Sequence, residues 1–140
     1  MVKTKLLQPQ EIEVFYVIPA LRKHLAVQMK ANGLKQREIA TLLGIEDAAV
    51  SQYINNKRGD KIKFEDVTSK EIARSAVNVK DPLSFLSETQ RLLQIIRKTG
   101  ALCKIHKQIS EVPLGCSLST VGCHHSSQED QHGPNARLLN

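Results

Sequence analysis

The chain has no tryptophan, and its 140 residues include only three phenylalanines and two tyrosines. Stacking on single-stranded bases needs a platform of exposed rings, so that mode of nucleic-acid binding is not expected here. No run of eighteen apolar residues occurs, so no membrane span is expected. The opening residues, MVKTKLLQPQ, lack the apolar stretch of a signal peptide, and a cytoplasmic location is expected. Three cysteines, an odd number, do not suggest a disulfide framework. There is no P-loop, no Gly-rich dinucleotide turn, no H-E-x-x-H and no nucleophile elbow. Cys103 and His106 can be drawn as nucleophile and base. Residues three apart on one helix rarely line a cleft with an oxyanion hole, however, so no enzyme activity is expected.

What the chain does have is the stretch from Gln36 to Asn55, QREIATLLGIEDAAVSQYIN. Ile39, Ala40, Leu42 and Leu43 fit a first short helix, and Gly44 ends it where a left-handed backbone is needed. Ile45 plugs the turn. Asp47 stands where a second helix would be capped, at the positive end of its dipole. Val50 and Ile54 share one face of that second helix. Two helices joined by so short a turn approach closely at their crossing, and Ala40 is small enough to allow it. This arrangement places one helix in the major groove of DNA. An ordinary helical hairpin without nucleic acid is the alternative.

From Gln36 to Arg58 the residues resemble the helix-turn-helix of phage repressor and Cro (xenobiotic-response-element) regulators. The resemblance is carried by Gln36, Ala40, Gly44, Val50 and the closing Asn55-Asn56-Lys57-Arg58. It implies that Gln36 touches a phosphate or supports a base-reading side chain. It also implies that Asp47, Ala48, Ser51, Gln52 and Asn55 face the bases. Gln52 and Asn55 are the foremost base readers, since an amide pairs bidentately with adenine. Ala48 suits a thymine methyl. Asp47 is assigned mainly to the cap, with a cytosine amino contact as the lesser role. The resemblance covers roughly 45 to 55 residues, and it is specific for the fold rather than the operator.

Charge agrees. The formal net charge is +6 and the pI about 9.4. Lys35, Arg37, Lys57, Arg58, Lys61 and Lys63 flank the two short helices, where cations neutralise phosphates on either side of a groove. Glu46, Asp47 and Asp60 interrupt this field, so sequence-blind binding should be modest.

Elsewhere the periodicity is helical. Pro9 with Gln10-Glu11 reads as a helix start. Val14, Val17, Ile18, Leu21, Leu25 and Met29 form one apolar stripe. Pro19 lies inside it and should either kink the helix or divide it. Asn32-Gly33 closes the element. A further helix is expected from Thr68 or Ser69 to Val79. Another starts at Asp81-Pro82, with Leu83, Leu86, Leu92, Leu93 and Ile96 on its stripe and Gly100 ending or bending it. Leu83, Leu86, Leu93 and Ile96 either pack on a symmetry mate or complete the core of one subunit. Periodicity does not distinguish these. Repressors of the resembled class bind as two-fold dimers, so a homodimer through the 82–99 helix is expected.

Cys103 to His125 is the second place for chemistry. Cys103 and His106 make a C-x-x-H pair, Val112-Pro113-Leu114-Gly115-Cys116 has the character of a metal knuckle, and Cys123-His124-His125 adds more ligands. Cys103, His106, Cys116 and Cys123 are therefore candidate ligands for zinc or an iron–sulfur cluster, or redox-sensing thiols. The layout also resembles archaeal predicted regulators that join such a helix-turn-helix to a short Cys-containing C-terminal segment. That resemblance implies a C-x-x-C pair after the Pro-x-Gly turn. Here the second position is Ser119, which removes one thiolate.

The expected protein is all-α: a five- or six-helix bundle containing a repressor-like helix-turn-helix, plus a C-terminal helix and irregular tail. Residues 1–66 would form the DNA-binding domain, 67–102 a helical dimerisation segment, 103–125 the Cys/His segment and 126–140 a disordered tail. The expected function is sequence-specific binding of double-stranded DNA by a transcriptional regulator. The alternatives are a helical adaptor of the transcription machinery and a metal- or redox-responsive regulator.

Overall fold

The structure, a computed structural model, describes residues 3–123. It is an all-α bundle. In chain order it has α1 (Pro9–Ile12), a π-helical turn (Glu13–Val17), α2 (Ile18–Ala31), α3 (Gln36–Leu43), α4 (Asp47–Ile54), α5 (Asp66–Asn78), α6 (Pro82–Lys98), α7 (Ala101–Ile109) and α8 (Leu118–Val121). Among the described residues the only β-type pairing is an isolated parallel bridge between Thr4 and Ser110. The tail from residue 126 and the pair His124-His125 lie outside the described residues.

Pro19 neither breaks the first long helix nor ends it. The Ile18 amide bonds the Glu13 carbonyl, five residues back. Proline lacks an N–H, and its ring collides with the carbonyl four residues earlier. A wider π turn just before it relieves both problems, and the chain stays helical. The same turn changes the phase of the apolar stripe. Val14, expected in the core, is exposed, whereas Ile12 and Glu13 are buried. From Val17 onward the stripe holds, with Leu21, Leu25 and Met29 fully buried.

Local chemistry sets the other boundaries. The Gln8 amide donates to Glu11 Oε1 (2.9 Å) at the start of α1. At α6 the cap is reciprocal: Ser84 N donates to Asp81 Oδ1 (2.7 Å) and Asp81 N to Ser84 Oγ (3.0 Å). Gly100, at φ 79°, ends α6 in the left-handed region and lets α7 turn away. Helix α5 begins at Asp66, earlier than the Thr68 or Ser69 start read from the sequence. Asp66 favours the positive end of the helix. Thr68 is buried, and the Ser69 hydroxyl donates back to the Phe64 carbonyl (3.3 Å).

One core cluster runs from Ile12 to Ile109 and draws on α1 through α7. Each fully buried Leu, Ile or Val contributes about 1.5–3 kcal/mol relative to exposure. Helix α6 divides along its length. Leu92, Leu93 and Ile96 are buried in the core of the chain itself, while Leu83 and Leu86 are 74% and 60% exposed. Of the four side chains considered for a symmetry mate, Leu93 and Ile96 are therefore internal. The helix closes onto α5 through Arg91, which donates to Glu71 Oε2 (2.6 Å), Glu88 Oε2 (2.7 Å) and the buried Ser75 Oγ (2.7 Å). Arg97 donates to the buried Glu13 (2.7 Å), fixing α6 against the π turn. No helix among the described residues is long and apolar enough to cross a membrane.

Candidate nucleic-acid interface

Helices α3 and α4 are joined by Gly44, Ile45 and Glu46. Gly44 adopts φ 64°, ψ 35°. The Ile45 amide reaches the Ala40 carbonyl (3.0 Å) and the Gly44 amide the Thr41 carbonyl (3.3 Å). This Schellman closure satisfies two orphan carbonyls and turns the chain sharply. Ile39, Ala40, Leu43 and Val50 are buried in the seam. So is Tyr53, which carries no apolar-periodicity signal as strong as that of its neighbour Ile54. Ile54 is only half-buried. An eight-residue helix reveals its buried face poorly from the sequence alone.

The cap of α4 is a correction. Glu46, not Asp47, occupies the N-cap position, and neither side chain makes a capping hydrogen bond. Asp47 stands in the first turn, exposed, where its charge still meets the positive end of the helix. The shift follows from the turn. After Gly44, Ile45 must reach inward, and Glu46 in the extended region carries the chain into the helix.

Seven of the nine residues read as DNA-facing are exposed: Gln36, Arg37, Asp47, Ala48, Asn55, Lys57 and Arg58. Ser51 and Gln52 are half-buried. The Gln36 carboxamide donates to the Asp47 carbonyl (3.0 Å), so it braces the two helices together. Asn55 Nδ2 donates to Ser51 Oγ (3.2 Å). Gln52 Oε1 is buried and accepts no hydrogen bond from the described residues. A buried unpaired acceptor costs about 1–3 kcal/mol.

A second Schellman closure ends α4. Asn56 adopts φ 62°, and the Lys57 amide reaches the Gln52 carbonyl (2.8 Å). Lys57 and Arg58 therefore follow directly from the exposed end of α4. Their turn is fixed from behind. At Gly59, φ is 69°, and an added Cβ would lie 2.4 Å from the Pro19 carbonyl oxygen. Lys23 Nζ bonds Asp60 Oδ1 (2.7 Å). That hydrogen bond, with the charge of Lys23, holds the Asp60 carboxyl below its ordinary pKa. His24 stacks edge-on against Phe64 (5.2 Å), and its pKa is lowered by burial and then by Lys23. Lys35, Arg37, Lys61 and Lys63 are also exposed around the pair. Motif spacing carried no sign of the Pro19–Gly59 contact or the Lys23–Asp60 pair.

The second candidate cluster behaves differently. Cys103, His106, Cys116 and Cys123 all line one cavity of about 340 Å³ between α7, the N-terminal arm and the 112–123 segment. His106 is buried, and its Nε2 lies 2.6 Å from the Leu7 carbonyl, so that nitrogen carries the proton and donates. Burial pushes the Cys123 thiol up, and the charges of Cys103 and then Cys116 push it further. Among the described residues no three His, Cys, Asp or Glu side chains are arranged to hold a metal ion. The donors that suit zinc or an iron–sulfur cluster thus share a cavity without forming a coordination site. Ser119, where a fourth thiolate would be needed, bonds Ser117 instead (3.3 Å).

The chain matches no protein-family model, no curated protein and no solved structure.

Proposed function

We propose that the protein is a sequence-specific regulator of transcription that binds double-stranded DNA through a repressor-like helix-turn-helix formed by α3 and α4. One observation carries the reading. Helix α4 packs Val50 and Tyr53 inward and leaves Ala48 and Asn55 outward, directly beside the exposed cations Lys57 and Arg58. A helix presented this way enters a major groove, with amides reading base edges and flanking cations holding phosphates. Gln36 braces the start of α4, and the exposed Arg37 serves as a phosphate contact. Gln52 reads adenine once its carboxamide turns outward. The protein acts in the cytoplasm.

Two copies bind a near-palindromic operator, paired through the N-terminal half of α6, where Leu83 and Leu86 stand free of the chain's own core. The decisive experiment is selection of bound fragments from random duplex DNA with the purified full chain. A defined motif is expected, with two-fold symmetry and a half-site spacing of about one helical turn. Binding that depends on salt but not on sequence would sink the reading and favour an adaptor of the transcription machinery.

A further inference from the structure

All three cysteines of the chain are free, half-buried and gathered on one cavity, although 13 and 7 residues separate them in sequence, counting from 103 to 116 and from 116 to 123. The two sides of that cavity differ in how firmly they are held. Cys103 sits on α7, which is anchored by buried Leu102, Ile105 and Ile109 and by the His106–Leu7 hydrogen bond. The other wall is the segment that carries Cys116 and Cys123. Among the described residues its last hydrogen bond to the rest of the fold is the Glu111 amide on the Thr4 carbonyl (3.0 Å). Beyond it, the hydrogen bonds formed among the described residues are internal to the segment: Cys116 N to Pro113 O, Gly122 N to Leu118 O, and the Ser117 cap on Thr120. Leu114 is wholly exposed. An anchored thiol thus faces two thiols on a lightly tethered strap, and their side chains make no metal site.

We propose that this cavity is a dithiol modification site, in which Cys103 and Cys123 close into an intramolecular disulfide under a peroxide oxidant and clamp the 111–123 segment onto α7. The thiolate of Cys103 attacks one peroxide oxygen. The O–O bond breaks, a sulfenic acid forms on Cys103, and hydroxide leaves, taking up the thiol proton as water. The Cys123 sulfur then attacks the sulfenic sulfur. The S–S bond forms, the S–O bond breaks, and the second oxygen leaves as water with the Cys123 proton. Two thiols are oxidised by two electrons, and one peroxide is reduced to two waters. Cys123 follows as the resolving thiol, since desolvation pushes its pKa up and disfavours its thiolate. Cys123 also lines a second cavity with Leu102, the residue before Cys103, whereas Cys116 lines another with Lys107, one helical turn further along α7, which makes Cys123 the partner of Cys103 ahead of Cys116. The strap supplies the backbone freedom that disulfide geometry demands. This inference does not depend on DNA binding.

The test uses the reduced full chain and hydrogen peroxide, with thiol counting and non-reducing peptide mapping. The titratable thiols should fall from three to one, with a Cys103–Cys123 linked peptide in a monomer, restored by dithiothreitol. Cys116→Ser should still close, and both Cys103→Ser and Cys123→Ser should fail to close while keeping the helical circular dichroism of the parent. Proteolysis within 111–123 should slow on oxidation. Three surviving thiols, cross-links only between chains, or a Cys103–Cys116 linkage would each overturn the assignment. So would a one-to-one cobalt complex with thiolate charge-transfer absorption that every single Cys→Ser change abolishes, because the cavity would then be a metal site.

Discussion

The Gln36 side-chain amide donates to the Asp47 backbone carbonyl at 3.0 Å, joining the first turn of α3 to the first turn of α4. A carbonyl has two lone pairs, so Asp47 can serve this bond and its own helix together. The contact sets how the start of α4 is offered to a partner. Gln36→Ala should cost no more than about 1 kcal/mol of stability, since both residues are exposed. If α4 enters a groove, the same change should weaken operator binding severalfold. Urea unfolding and a gel shift on one preparation check both halves. Equal affinity at equal stability would show that the brace is idle.

Gly59 packs the turn after α4 against the start of α2. Gly59→Ala combines a left-handed backbone with a Cβ placed 2.4 Å from the Pro19 carbonyl, so the turn must shift. The expected loss is about 1–3 kcal/mol, seen as a lower urea midpoint. Gly33→Ala is the matched comparison. Its φ is 97°, but a Cβ there meets nothing within 4 Å. It should carry backbone strain alone and lose less stability. A smaller effect at Gly59 than at Gly33 would remove the steric argument.

Arg91 gives the protein an acid-sensitive join between α5 and α6. Its hydrogen bond lowers the Glu71 pKa. Burial opposes ionisation of Glu88, and the bonds from Arg91 and Asn78 outweigh it, so that carboxyl also lies below its ordinary value. Unfolded glutamates titrate near about 4.3. Because the native values are lower, this stabilisation is complete above that pH and disappears as pH falls through the native values. Arg91→Met should cost about 1–3 kcal/mol at neutral pH, because the Glu88 carboxylate and the buried Ser75 hydroxyl each lose a donor. The gap to the parent should narrow below about pH 4. A gap that stays constant down to pH 2 would mean that the carboxylates contribute nothing.

Leu83 and Leu86 separate assembly from folding. Leu83→Glu with Leu86→Glu should leave the melting transition nearly unchanged, because both side chains are exposed. The double change should shift sedimentation toward the monomer and weaken binding to a two-fold operator. Leu93→Ala should instead cost about 2–5 kcal/mol, as expected of a buried leucine. A parent protein already monomeric at micromolar concentration would exclude pairing through this face.

The amino-acid sequence by itself determined the all-α class, the end of α3 at Gly44, the start of α6 at Asp81-Pro82 and the buried stripe of α2, and at Gly100 it left open whether α6 ends or bends. Each of these is local. A glycine accepts a backbone that other residues resist, a short polar side chain closes a helix end, and apolar groups recur every three or four residues. Only the tertiary structure decided the rest. The π turn before Pro19 moved Val14 out of the core, because one added residue rotates everything preceding it on the helix. Tyr53 rather than Ile54 is the buried one of that pair, and the burial of Leu93 and Ile96 was settled by neighbours far away in the chain. Gathering Cys103, Cys116 and Cys123 on one cavity required α7, the N-terminal arm and the strap to meet. Side chains that meet through long-range packing leave no period in the sequence, since their spacing along the chain is free once the fold closes.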